Sequence, residues 1–130
     1  AGPGVRIHDA VPYPHLVSTL AGFDAGVFLL PPRTFSYAHA LPNKFFDFVQ
    51  ARLAIVVGPT PEMAELVEQH HLGWVTRDFT VEALAEVLES LQPAAIDAAK
   101  RAAHAAAPAL AAERQSQGWI DAITAIVAPR

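Results

Sequence analysis

Short apolar runs alternate with stretches of helical periodicity along most of this chain. Val27 to Leu30 (VFLL) is a continuous apolar run closed by Pro31-Pro32, and Leu53 to Val57 (LAIVV) is a stronger one closed by Gly58-Pro59. Runs of this length without polar alternation mark strands buried on both faces. Val5 to His8 (VRIH) alternates, Gly73 to Thr76 (GWVT) is short, and both read as further strands. Helices fill the intervals. Pro14 opens one, with Leu16, Val17 and Leu20 as its stripe and Gly22 as its stop. A second runs from Pro42-Asn43 to about Arg52. Phe45, Phe48, Val49 and Arg52 share one of its stripes, and Asn43, Asp47 and Gln50 share another face.

Thr60 caps a third helix, with Pro61 and Glu62 in its first turn and Met63, Leu66 and Val67 inward. It stops near Gly73. Thr80 caps a fourth, with Leu84, Val87, Leu88 and Leu91 inward. From Pro93 the chain is Ala-rich and helical until Pro108, and a last helix carries Trp119, Ile120, Ile123 and Val127. Residues 33–41 show no periodicity and read as a loop. The succession predicts an α/β fold in a single domain over residues 1–130: a Rossmann-like parallel sheet of about four strands, helices on both faces and a helical C-terminus.

Composition narrows the function. The chain has 130 residues, 52% of them hydrophobic and 17% charged, which is the balance of a folded domain rather than a disordered one. With no Cys, disulfides, cysteine-ligated zinc, iron–sulfur clusters and thiol catalysis are excluded. A net charge of −4 disfavours binding to nucleic-acid backbones, which needs a basic face. No apolar run approaches the roughly 20 residues that span a bilayer. The six His form no H-x-x-x-H pair, neither Gly-rich phosphate-loop pattern occurs, and no Ser has a nucleophile-elbow context. No metal and no resident cofactor are expected. The opening AGPGVR lacks an initiator Met, a basic n-region and an apolar h-region, and reads as a boundary inside a longer protein.

In an open parallel sheet, ligands bind outside the carboxyl ends of the strands. Three loops qualify there: Asp9 to Tyr13, Pro31 to Asn43, and Gly58 to Glu62. The middle one is the longest and leads into a helix start at Pro42-Asn43-Lys44. Exposed N–H groups at such a start favour an anion, and Lys44 adds a positive charge. Asp47 lies one turn further on, on the face of Asn43. Its carboxylate repels phosphate but accepts hydrogen bonds from hydroxyls, such as the pair on a ribose. Two readings of this cluster stay open: a nucleotide site, or a plain helix cap beside a solvated Lys44–Asp47 pair.

The stretch HALPNKFFDFVQARLAIVVGPTPEMAELV resembles the donor-binding region of GT-B glycosyltransferases, the retaining group that uses nucleotide-activated sugars. Pro42, Asn43, Lys44 and Asp47 match its P-x-K start and the acidic residue after it, with Leu53 to Val57 as the following strand. VRIHDAVPYPHLVSTLAGFDAGVFLLPP and LGWVTRDFTVEALAEVLESL resemble the flanking segments. The resemblance implies that Asp47 binds the nucleotide ribose, that Asn43-Lys44 faces the diphosphate, and that the loop His8 to Tyr13, with Asp9, Ala10 and Val11, lies beside the base. His39 falls where many members carry a Glu that contacts the transferred sugar. Arg52 falls where many carry Gly before the strand.

The same resemblance implies a parent glycosyltransferase moving sugar from a UDP- or GDP-linked donor to an acceptor, with its acceptor-binding N-terminal domain and two strand–helix units outside this chain. The chain alone is then expected to transfer no sugar and to self-associate through an unpaired strand edge. A cytoplasmic location is implied, with the inner face of the membrane as its variant. The alternative is a non-catalytic, flavodoxin-like α/β binding module.

Overall fold

A computed structural model describes residues 4–127, apart from the side chain of Gln115. Three parallel strands form its sheet in the order β1-β2-β3: β1 (Ala25–Phe28), β2 (Ala54–Val57) and β3 (Gly73–Val75). Helices α1 (Tyr13–Leu20), α2 (Phe35–Ala38), α3 (Asn43–Gln50), α4 (Pro61–His70), α5 (Val81–Ser90), α6 (Pro93–Ala106) and α7 (Ala112–Val127) flank and follow it. The fold is α/β with a helical C-terminus, and its sheet has three strands where the sequence suggested four. No described helix is long and apolar enough to cross a membrane.

Strand β2 is the centre. All four of its residues are fully buried, as its unbroken apolar run requires. Side chains alternate, so Ile55 and Val57 enter the main core cluster while Ala54 and Val56 are buried on the other face. Phe45, Phe48 and Val49 of α3, Met63 and Val67 of α4, and Ala103 and Ala106 of α6 join that cluster, with Ala51, Leu53, Leu72, Ala107 and Leu110 from the connecting turns. The small side chains of α6 let its backbone approach closely. Gly26 performs a similar service in β1: a Cβ there would lie 2.5 Å from the Phe48 ring. Gly73, at φ 155°, would bring a Cβ to 1.9 Å from the Ile55 carbonyl oxygen.

Val5 to His8 is not a strand. Val5 and Ile7, the apolar half of the alternation, are 60% and 85% exposed. A four-residue segment with two apolar side chains cannot offset its chain entropy without a paired neighbour and a face to bury against. β1 is therefore an edge strand, and its Val27 is 41% exposed. The strand also begins two residues earlier than the VFLL run, because pairing starts at Ala25↔Ala54 and the chain leaves the sheet before Leu29-Leu30.

Other local expectations divide. Thr80 caps α5 by accepting from the Ala83 N–H at 3.2 Å. Thr60 occupies the cap position of α4 but makes no capping bond, and its Oγ1 is buried without a partner. Helix α4 ends at His71, whose left-handed φ of 55° fills the role expected of Gly73. On α5 only Ala83 is buried, Leu84, Val87 and Leu91 are half-buried, and Leu88 is exposed. The loop 33–41 contains the short α2, capped by Thr34 accepting from Tyr37 N–H. Trp119, Ile120, Ile123 and Val127 on α7 are all exposed.

The two glycines give a test of the packing. Gly26→Ala is expected to cost about 1–3 kcal/mol, the usual range for overpacking a core. Gly73→Ala should cost more, since the obstacle is the β2 backbone and the φ is unfavourable to any side chain. Urea unfolding of the two variants measures this; midpoints equal to that of the parent chain would contradict it.

Candidate functional site

Helix α3 begins at the carboxyl end of the sheet and is oriented by its buried stripe. With Phe45, Phe48 and Val49 turned to the core, the 3.6-residue repeat sends Asn43, Asp47 and Gln50 to the opposite side. There they form one wall of a cleft of about 400 Å³. Tyr13 and Val17 of α1, with Leu110 and Glu113 at the junction of α6 and α7, form the rest, and Phe46 contributes an aromatic floor. The cleft thus lies on the outer side of α3, and its lining holds two carboxylates and no cationic side chain.

Asp47 is held in place. The Tyr13 hydroxyl donates to its Oδ1 at 3.3 Å. The Asp47 charge, and then this hydrogen bond, push the Tyr13 phenol above its ordinary value of 10.0. Oδ2 of Asp47 accepts no hydrogen bond from a described residue. Gln50 is anchored from the far side, its Nε2 donating to the Ala107 carbonyl at 2.9 Å.

Lys44 leaves the same helix turn in another direction. Its Nζ lies 4.9 Å from the centre of the Phe28 ring, at the carboxyl end of β1. Lys44 and Asp47 make no direct ion pair with each other. Pro42 is the residue before α3 and offers no side-chain cap; its carbonyl accepts from Phe45 N–H at 2.9 Å. The first N–H groups of a helix have no intrahelical acceptor, so those of Asn43 and Lys44 point outward.

The remaining expected residues are not gathered here. His39 turns to α4, where its Nδ1 meets Glu62 Oε1 at 2.6 Å and its ring lies 4.6 Å from that of Phe35. The other Glu62 oxygen, Oε2, is buried and unpartnered. The hydrogen bond from His39 is the main cause holding the Glu62 carboxyl below its ordinary value, against the opposing effect of desolvation. Asp9 and Ala10 are exposed and Val11 is half-buried, in an extended segment with no hydrogen bond to the α3 start among the described residues.

Tyr13 and Glu113 line the cleft; Tyr13 ends a loop expected at the site, without a role of its own there, and Glu113 lies outside every expected loop. Tyr13 had a signal, as a polar aromatic residue at the mouth of a Pro-opened helix. Glu113 had none, since nothing local to it reports that its helix junction returns to α3.

Comparison with models of known protein families, with curated proteins and with solved structures finds no match to this chain.

The two contacts are testable by NMR titration. Asp47→Asn should bring the Tyr13 phenol back down toward 10.0, because the charge that raises it is gone. His39→Ala should raise the Glu62 carboxyl toward 4.5. The Glu62 value is depressed in the folded state. Its contribution to stability is therefore full above about pH 4.5 and is lost as pH falls through the lower folded value, a loss His39→Ala should abolish. Unchanged titration curves in either variant would contradict the geometry.

Proposed function

We propose that this chain is the donor-binding part of a glycosyltransferase, holding a UDP- or GDP-linked sugar at the start of α3. One observation carries the reading. Asn43 and Asp47 face a cleft without cations, while Lys44 and the free N–H groups of the helix start lie beside it at the carboxyl end of β1. A nucleoside diphosphate divides in the same way. Its ribose hydroxyls donate hydrogen bonds that a carboxylate accepts, and its diphosphate avoids carboxylates and seeks N–H groups and cations.

Tyr13 occupies one oxygen of Asp47 and leaves Oδ2 for a ribose hydroxyl. Phe46 and Val17 offer the apolar surface against which a base can rest. A volume of about 400 Å³ falls inside the range of small-molecule sites, roughly 300–1,000 Å³. The resemblance of the PNKFFD segment to donor-binding helices supports the same assignment.

The residues named here bind a donor; they do not place an acceptor. Transfer needs both substrates in reacting geometry, so the acceptor site is assigned to a further domain of a longer protein. The His39–Glu62 pair is turned away from the cleft, and no contact to the transferred sugar is assigned to it. The reading puts the protein in the cytoplasm, at or near the inner face of the membrane.

Calorimetry of the 130-residue chain with UDP and GDP tests the proposal. Asp47→Ala should weaken binding roughly ten- to a hundredfold, the effect of losing one charge-assisted hydrogen bond worth about 1.5–3 kcal/mol. Lys44→Ala should weaken it most at low ionic strength, since an exposed Lys–phosphate contact is screened by salt. No sugar transfer is expected from the chain alone with generic acceptors. An absence of nucleotide affinity, or full affinity in Asp47→Ala, would favour the non-catalytic flavodoxin-like module instead.

A further inference from the structure

We propose a second binding site, for a phosphate group, at the opposite end of the sheet from the α3 start. A cavity of about 490 Å³ there is lined by Arg52, in the turn entering β2, and by Asp97, Lys100, Arg101 and His104 of α6. Its place is fixed by two features: Arg52 lies two residues before the start of β2, and Lys100 Nζ reaches the Phe23 carbonyl and Asp24 Oδ1, both at 3.2 Å, just before β1.

The cations are oriented by the protein rather than left in solvent. Arg52 sits at φ 62°, a backbone conformation that disfavours side chains and is commonly given to Gly at a helix end. Its Nη1 donates to the Val49 and Gln50 carbonyls at 3.2 and 2.8 Å, and its Nε donates to His104 Nδ1 at 3.2 Å. Capping α3 accounts for Nη1. It does not account for Nη2, which has no partner among the described residues. Because His104 Nδ1 accepts, the neutral ring carries its proton on Nε2, which is another donor. Arg101 makes no hydrogen bond or ion pair among the described residues, although Asp97 lies one turn before it on α6.

The donors left for a ligand at this groove are therefore the Arg101 guanidinium fork, Nη2 of Arg52 and the His104 Nε2–H, with Lys100 adding charge while it holds Asp24. One carboxylate lines the groove, Asp97, without a partner among the described residues; Asp24, outside the lining, is engaged by Lys100. The Arg101 fork, with single donors from Arg52 and His104, matches the several oxygens of a tetrahedral phosphate. Asp97 is the one unneutralised group that opposes an anion, which gives the proposal a test of sign. The phosphate belongs either to a small soluble molecule or to a lipid headgroup, and the same groups would recognise both.

Titration of the 130-residue chain with inorganic phosphate and pyrophosphate, followed through backbone amide resonances, tests the site. Saturable shifts are expected at Arg52, Arg101 and His104. Arg101→Gln, an exposed change that preserves helix propensity, should weaken binding about tenfold. Asp97→Asn should tighten it, and Arg33→Gln, in the loop beyond the carboxyl end of β1, should leave it unchanged. Sedimentation with phosphatidylcholine vesicles containing phosphatidylglycerol separates the sources. Arg101-dependent binding to these vesicles without response to free phosphate assigns a headgroup, and response to free phosphate alone assigns a soluble ligand. Silence in both arms, equal loss in Arg33→Gln, or no gain in Asp97→Asn would overturn the proposal.

Discussion

Helix α3 can lie directly on the sheet because Gly26 offers no side chain to the Phe48 ring. That one close approach fixes the height and rotation of the helix against β1 and β2. Phe45 and Val49 are buried with Phe48 on the same side, so the helix cannot roll without exposing all three. Dense packing of this kind has few alternative arrangements, which is why a single ring–glycine contact governs residues on the far side of the helix.

The placing of both proposed sites follows from that orientation. The side of α3 away from the core is given to Asn43, Asp47 and Gln50, which makes a wall of one carboxylate and two amides in the cleft shared with α1. Lys44 is rotated to a flank and rests over Phe28. At the far end, the chain must turn back at once to enter β2, and Arg52 takes a left-handed conformation to do so. Its guanidinium then caps α3 and reaches His104 on α6. One eight-residue helix thus sorts opposite charges to opposite places: hydroxyl-accepting groups in the cleft, and cations at its two ends.

The central elements were legible in the sequence because their signals are local and strong. LAIVV is buried along its whole length, and the Phe45, Phe48, Val49 stripe points inward as its spacing demands. Proline and threonine marked the starts of α4 and α5 correctly. The misses came from tertiary context. Val5 to His8 alternates like a strand, but a strand exists only beside another, and no described residue pairs with it. Leu88 and the apolar row of α7 fit helical periodicity, yet no described neighbour buries them. In the cleft, the Asn43–Asp47 face could be read from spacing and Tyr13 ends a loop expected at the ligand end of the sheet, whereas Glu113 arrives from a helix whose approach no local pattern encodes. His39 could be placed in the loop but not aimed; a contact with Glu62 decides its direction.

The most direct test of the central claim is a crystal structure of the chain grown with UDP or GDP. The account expects a ribose hydroxyl within hydrogen-bond distance of Asp47 Oδ2, with the Tyr13–Asp47 bond intact and the diphosphate at the Asn43 and Lys44 N–H groups. A nucleotide seated away from α3, or one whose phosphates enter the cleft beside Asp47 and Glu113, would contradict it.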